Sequence, residues 1–386
     1  MPVTSSTTLT NQYQNYFSKQ LLKVVEQETI LDQFADKTPI PKANGNKAIT
    51  VFRFGAPSIS QVQTINTEGS AIAAANYRAL SMSSLSKTLA QYGQVIGLTD
   101  VLTMTNLFNS LQQASTTAGK DMALWVDSLI RNTLVGSNLS ASGASIGSGA
   151  EGGGTFENSD GVGVTPASNG VCVYGNPATL AAANQTFTGL STDQTAANTF
   201  CTATALLDMM TRLKRNRAPM LNGGYVYSTD PRIARDLMRD NDWLNASNYG
   251  NKGEPLYKGE VGKLYGCRVV VQTNSFISTA STTVENNKFV YQASAGAGGT
   301  GQTADVIASF LFGGNAYAIP ALTGDDPLSP KTIITDTPDK ADPLNQLITV
   351  GVKLYFAALR LAAGNTAGSG NPAWYLVHRC KTGATL

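Results

Sequence analysis

The apolar residues Ile348, Val350, Val352, Leu354 and Phe356 alternate with Thr349, Gly351, Lys353 and Tyr355. This period-two pattern predicts a strand with one buried face. Ala48 to Phe54 is also strand-like and is broken by Gly55-Ala56-Pro57, while Tyr77 to Gly97, polar and rich in Ser and Leu, predicts a returning strand. Together they predict a long hairpin. Its apolar content is too low to bury either face within one subunit, so it needs a partner surface. Tyr225-Val226-Tyr227, Leu264 to Val271, Val306 to Phe312 and Trp374 to Val377 are the other predicted strands.

Helical spacing recurs in Phe17, Leu21, Val24, Leu31 and Phe34, with Lys19, Lys23, Glu26 and Asp32 between them. An amphipathic helix is expected there, ending before Pro39 and Pro41. The longest helical stripe is Leu107, Leu111, Ala118, Met122, Trp125, Val126, Leu129 and Thr133. Thr99 or Asp100 can cap it, Gly136 ends it, and Gly119 is a candidate kink or break. Asn198 to Arg217 predicts a second amphipathic helix. Asp230-Pro231 reads as an N-cap with proline at the first helical position, opening a helix of Ile233, Ala234, Leu237 and Met238. Helices and strands mix without regular βαβ alternation, so the predicted class is α+β.

At 386 residues the chain can hold two or three domains. Only 14% of its residues are charged and the formal net charge is +2, against roughly 25% charged residues in an average soluble protein. Little charge repulsion keeps copies apart, and so uncharged a surface usually meets something other than water. No apolar run approaches the ~18 residues of a membrane span, and Met1-Pro2-Val3-Thr4 opens without a basic leader; a cytosolic chain with no membrane contact is expected. Residues 136–170 are low in complexity and include a literal GxGxxG at Gly147 to Gly152. No apolar strand precedes it and no amphipathic helix follows, so a loop or inserted hairpin is expected instead of a dinucleotide site. Ser275 to Gly301 is a second polar, Gly-rich excursion.

Candidate chemistry is sparse. The sole histidine, His378, is expected at a surface or interface, outside any catalytic role. Cys172, Cys201, Cys267 and Cys380 lie far apart with no CxxC pair, which reads as buried thiols; a disulfide framework or zinc site is not expected at these spacings. Glu28, Asp32 and Asp36 would share a helical face, and Asp325-Asp326-Pro327 with Asp336 to Asp342 forms an acidic loop; both read as solvated. Arg212, Lys214, Arg215 and Arg217 crowd the end of their helix, where they complement its dipole. No Lys or Arg occurs between Arg131 and Arg212, which argues against a dedicated nucleic-acid reader. No nucleophile elbow, HExxH or Walker motif is present. No catalytic residue, cofactor or metal is therefore expected, and an enzyme is not.

One ordered set of motifs says more. Thr38-Pro39-Ile40-Pro41-Lys42, Gly45-Asn46-Lys47, the stretch Ile49 to Phe54, Thr67-Glu68-Gly69 and Gln91 to Asp100 follow one another. Gly259 to Gly266 and Asp342-Pro343-Leu344-Asn345-Gln346 come later. In this order they resemble the major capsid proteins of tailed phages, specifically those of N4-like phages. The resemblance implies the fold shared with herpesvirus capsid floors: an N-terminal arm at 1–44, an extended loop at 45–98, a peripheral domain beginning at 99–195 with a long spine helix and the 136–170 insertion, an axial domain at 196–335, and return strands to the peripheral domain at 336–386.

It further implies a structural protein that assembles as hexamers and pentamers into an icosahedral virion shell, built in the host cytoplasm. Scaffolding, portal and decoration proteins are the implied partners, with weak non-specific contact to packaged DNA. Phe52, Arg53, Phe54 and Glu68 are the candidate intersubunit contacts, with Arg53 or Glu68 in an ion pair between copies. Deletion of the residues before Gln33 is expected to abolish shells while leaving a folded subunit. A Gly-rich α+β carbohydrate-binding module or enzyme is the alternative, and it would require convergent polar residues in a pocket.

Overall fold

The computed structural model describes residues 29–38, 48–54, 82–105, 110–135, 156–157, 163–164, 172–174, 201–215, 217–244, 260–279, 290–292, 306–321, 331–335, 346–361 and 374–381. The expected N-terminal helix before Thr29, Glu68, the GxGxxG stretch and the acidic 325–327 and 336–342 segments lie outside the described residues. Within them the architecture is mixed, with helices packed on separate sheets. No described helix is long and apolar enough to cross a membrane.

The chain enters as a 3-10 turn, Leu31–Phe34, followed by β1, Asp36–Thr38. The helical spacing of Leu31 and Phe34 is met by this tighter turn, and the chain is already extended before Pro39. Asp32 and Asp36 therefore share no helical face, and Asp32 instead pairs with Lys37 at 2.9 Å. Strands β2 (Ala48–Phe54) and β3 (Met82–Thr88) form an antiparallel ladder running from Ala48 opposite Thr88 to Phe54 opposite Met82. The returning stretch serves two sheets. After Leu89 it continues as β4, Ala90–Thr99, which leaves the ladder and pairs with a distant strand.

Helix α1, Asp100–Thr105, precedes α2, Ser110–Val135, which runs unbroken through a buried Gly119. Strands β5 (Phe156–Glu157) and β6 (Gly163–Val164) pair as a short hairpin inside the low-complexity region. Next come β7 (Cys172–Tyr174), α3 (Ala203–Arg215), β8 (Tyr225–Thr229) and α4 (Pro231–Met238). At the start of α4 the Asp230 carboxylate accepts the Arg232 N–H and proline occupies the first helical position, as the sequence predicts. Leu264 to Val271, expected as one strand, is instead the end of a hairpin: β9, Glu260–Leu264, turns at Tyr265-Gly266 into β10, Cys267–Val271.

Strands β11 (Phe276–Thr279), β12 (Val290–Gln292), β13 (Val306–Phe312), β14 (Tyr317–Pro320), β15 (Lys331–Thr335), β16 (Leu347–Phe356), β17 (Leu359–Arg360) and β18 (Tyr375–Lys381) complete the chain. The central sheet is built on β13. One edge of β13 is shared by β8 and β11; the other carries β18 along its full length, with β7 parallel beyond it. A second sheet, β15-β16-β4, is antiparallel, and its buried face, Val350, Val352, Leu354 and Phe356, packs against α2 through Ala114, Met122 and their neighbours. The segment 336–386 is thus divided: β16 joins the sheet under α2, and β18 joins the central sheet.

Two turns pack back to back beside β8. Asn222-Gly223 and Tyr265-Gly266 all have positive φ, between 48° and 87°. Between them Gly224 lies so close that a Cβ would stand 2.6 Å from the Gly266 carbonyl oxygen. Backbone cannot swing away as a side chain can, so Gly224→Ala is expected to cost roughly 1–3 kcal/mol. An unchanged denaturant midpoint for that variant would show that the two turns move apart freely.

Candidate functional site

Among the described residues, two exposed surfaces and two buried polar clusters have features the core does not require. The first surface is the β2-β3 ladder. Its root is anchored, since Ile49 is buried with Ala318, Ala357, Leu359 and Leu361 and is joined by Val51, Leu85 and Leu89. Its far end is not: Phe52 and Met82 are each 58% exposed. Met82 stands opposite Phe54, two residues beyond Phe52, so Phe52 and Met82 share one face. Of the other predicted contact residues, Arg53 and Phe54 pair through their backbones with Ser83 and Met82.

The second surface is the face of β15-β16-β4 turned away from α2. Val95, Gly351 and Ile333 lie in register across the three strands. Val95 is 68% exposed and Ile333 47%. Gly351 leaves the row open, because a Cβ there would meet Val95 Cγ2 at 3.8 Å. The sequence reading of β16 followed its buried residues and gave no weight to this row, which the Lys331–Lys353 cross-strand pair flanks on one side.

The first buried cluster lies on α2. Asp127 and Arg131, one helical turn apart, are 3% and 0% exposed. Asp127 accepts the backbone N–H groups of Ile30, at 3.3 Å, and Leu31, at 3.1 Å. The Tyr317 hydroxyl donates to the Leu31 carbonyl. Arg131 donates to Asn274 Oδ1 at 2.7 Å and to the Asn274 carbonyl at 3.2 Å, and Asn274 returns a bond to Ser128 Oγ at 2.9 Å. One turn of helix thereby holds the entering chain on one side and the β10-β11 connection on the other.

Burial pushes the Asp127 carboxyl up to about 6, against the lowering effect of the Leu31 and Ile30 N–H groups and of Arg131, and burial lowers Arg131 to about 10. Because the folded value exceeds the ordinary 3.8 of an unfolded chain, the native state takes up this proton first. The stabilisation is complete below pH ~4 and is lost as pH rises through ~6, an amplitude of about 3 kcal/mol. Replacing Asp127 with Asn should flatten the pH 4 to 6 limb of the unfolding free energy. The same slope in both proteins would assign that limb to another group.

The second cluster is in the α3 side of the central sheet. His378, expected at a surface, is fully buried on β18: its strand lies against the middle of β13, with another strand beyond it. The Tyr227 hydroxyl is 2.8 Å from His378 Nδ1 and 3.5 Å from Cys201 Sγ. Cys380 completes the group, and one donor atom each from Cys201, His378 and Cys380 lie within 4.8 Å of one another. A hydrogen bond with Cys380 holds the Cys201 thiol well below its ordinary value and pushes Cys380 itself well up, while burial raises Tyr227.

No protein-family model matches the sequence, and no curated protein matches it. Solved structures match in fold. The capsid of Ralstonia phage GP4 superposes with a TM-score of 0.61 at 11% identity, covering 92% of this chain and 88% of that one. The head structure of Helicobacter pylori bacteriophage KHP40 gives 0.56 at 10% identity, covering 92% and 91%. The cyanophage Pam1 capsid gives 0.55 at 16% identity, covering 89% and 87%. The chain has the fold of these phage capsid chains.

Proposed function

We propose that the chain is the major capsid protein of a tailed phage, a structural subunit that forms hexamers and pentamers and closes an icosahedral shell around the genome. The observation that carries the reading is the capsid-fold match over 92% of the chain, joined to the ordered sequence motifs, which alone point to the N4-like group. In this reading residues 1–44 are the arm, 45–98 the extended loop, α2 the spine of the peripheral domain, and 196–335 the axial domain. No enzymatic role is assigned. Scaffolding, portal and decoration proteins are the expected partners, DNA contact is weak, and assembly takes place in the host cytoplasm.

The two exposed surfaces support this reading. An apolar ladder tip and an apolar row across an open sheet face have little reason to exist in a lone subunit, and neighbouring copies would cover them. Each contact is modest, and closure adds many of them. Expression of the full chain, followed by gradient sedimentation and negative-stain electron microscopy, tests the reading: closed shells, tubes or fast-sedimenting rings are expected. A slowly sedimenting species that stays so when co-expressed with scaffolding protein would overturn it. Phe52→Ser and Val95→Ser should each leave the unfolding temperature of the subunit nearly unchanged. Each should raise the concentration needed for assembly about tenfold, the equivalent of ~1.4 kcal/mol per contact; unaltered assembly by both would remove these faces from the interface.

A further inference from the structure

We propose that Cys201, His378, Cys380 and Tyr227 form a buried structural site for zinc, independent of the shell reading. The donors come from three separate places. Cys201 stands two residues before the start of α3, Tyr227 is on β8, and His378 and Cys380 are two residues apart on β18 and so share one face of it. Around a tetrahedral zinc ion, with Zn–S near 2.3 Å and Zn–N near 2.0 Å, neighbouring donors lie roughly 3.3–3.8 Å apart. Three donor atoms already within 4.8 Å of one another need only a small contraction to reach that spacing. The Tyr227 oxygen is already at donor spacing from Cys201 Sγ, at 3.5 Å, whereas its 2.8 Å separation from His378 Nδ1 is that of a hydrogen bond and opens by about half an ångström when both atoms take the ion.

Charge selects the ion. Two thiolates, a neutral imidazole and a neutral phenol around a divalent cation make a neutral complex, the one kind that burial penalises little. A monovalent copper ion would leave one uncompensated negative charge in a site where Cys201 is 4% exposed and His378 and Cys380 are 0% exposed. Cys267 lies in the same core without joining the donor group, and burial raises its thiol far above the ordinary value; it is the natural control. The ion would tie the start of α3 and the strand β18 to β8. With every donor buried it enters during folding and leaves only on unfolding.

The test uses the full chain, produced in zinc-supplemented medium and purified without chelator, with metal measured by plasma mass spectrometry and thiols titrated in denaturant. About one zinc per chain is expected, retained in chelator until the protein is unfolded. Cys201→Ser and Cys380→Ser should each lose it, and Cys267→Ser should keep it. Chain produced with cobalt in place of zinc should show a thiolate-to-cobalt charge-transfer band, a readout that needs no variant to fold. Less than about a tenth of a zinc per chain with all thiols titratable would mean a hydrogen-bonded cluster only. Loss of two thiols with an intact mass two daltons light would mean a Cys201–Cys380 disulfide. Either result overturns the proposal, as would stoichiometric copper.

Discussion

Removal of residues 1–28 is expected to leave a subunit that unfolds at the full-length temperature and forms no closed shells, whereas removal of residues 1–32 is expected to cripple the subunit itself. The sequence placed the cut at Gln33; the packing moves it upstream. Leu31 is 1% exposed in the core shared by α2 and β13, and its carbonyl takes the Tyr317 hydroxyl. Losing such a leucine costs about 3–5 kcal/mol when the cavity does not collapse. Cutting there also strips Asp127 of the Ile30 and Leu31 N–H groups that share its charge.

Since most domains are stable by only ~5–15 kcal/mol, the shorter protein should be largely unfolded or aggregated, and its failure to assemble would reveal nothing about the arm. The longer one isolates the arm's contribution. Thermal unfolding of both, beside sedimentation of both, separates these effects. Normal shells from the chain lacking residues 1–28 would remove the arm from the assembly mechanism, and equal unfolding temperatures for the two truncations would mean that Leu31 anchors nothing.

Much of this architecture was legible wherever one physical signal acted alone. The alternation in β16, the long stripe of α2 and the Asp230-Pro231 cap all took the predicted form, because burial on one face or a local hydrogen bond decides them. The β9-β10 hairpin was missed for a specific reason. Its turn is Tyr265-Gly266, and the tyrosine takes a φ of 52°, a position where asparagine or glycine would have announced the turn.

Pairing between distant strands was equally hidden. Nothing in Tyr77 to Gly97 says that Met82 to Thr88 pairs with β2 and the part from Ala90 onward with β16; that choice is made by the buried face of α2, which needs a sheet beneath it. The Cys–His cluster shows the limit most plainly. Metal-ligand motifs are recognised by local spacing, but here only His378 and Cys380 on β18 are local, and the pairing of β18 and β8 with β13 and the packing of the start of α3 bring Tyr227 and Cys201 to them from far along the chain. Arg131 and Asp127 likewise looked like ordinary charges on an amphipathic helix until the 3-10 turn and the Asn274 connection closed over them.

That closure makes Arg131→Met the substitution with the largest expected single-site cost, on the order of 3–5 kcal/mol, because removing one partner leaves the other charge buried and uncompensated. Methionine preserves most of the side-chain volume, so the loss is electrostatic and hydrogen-bonding in origin. Two consequences separate this account from simple packing damage. Arg131 lowers the Asp127 value, so in the variant the carboxyl should rise above about 6 and the pH window in which stability is lost should extend upward. In addition, Asp127→Asn placed on top of Arg131→Met should restore part of the stability at neutral pH, since the uncompensated charge is then gone while an oxygen still accepts the Leu31 N–H. A double-mutant cycle by urea unfolding at pH 5 and pH 7.5 measures both. If the two substitutions simply add, with no shift of the pH window, Asp127 and Arg131 are independent buried groups, and the joining of the entering chain to the β10-β11 connection through one turn of α2 loses its energetic basis.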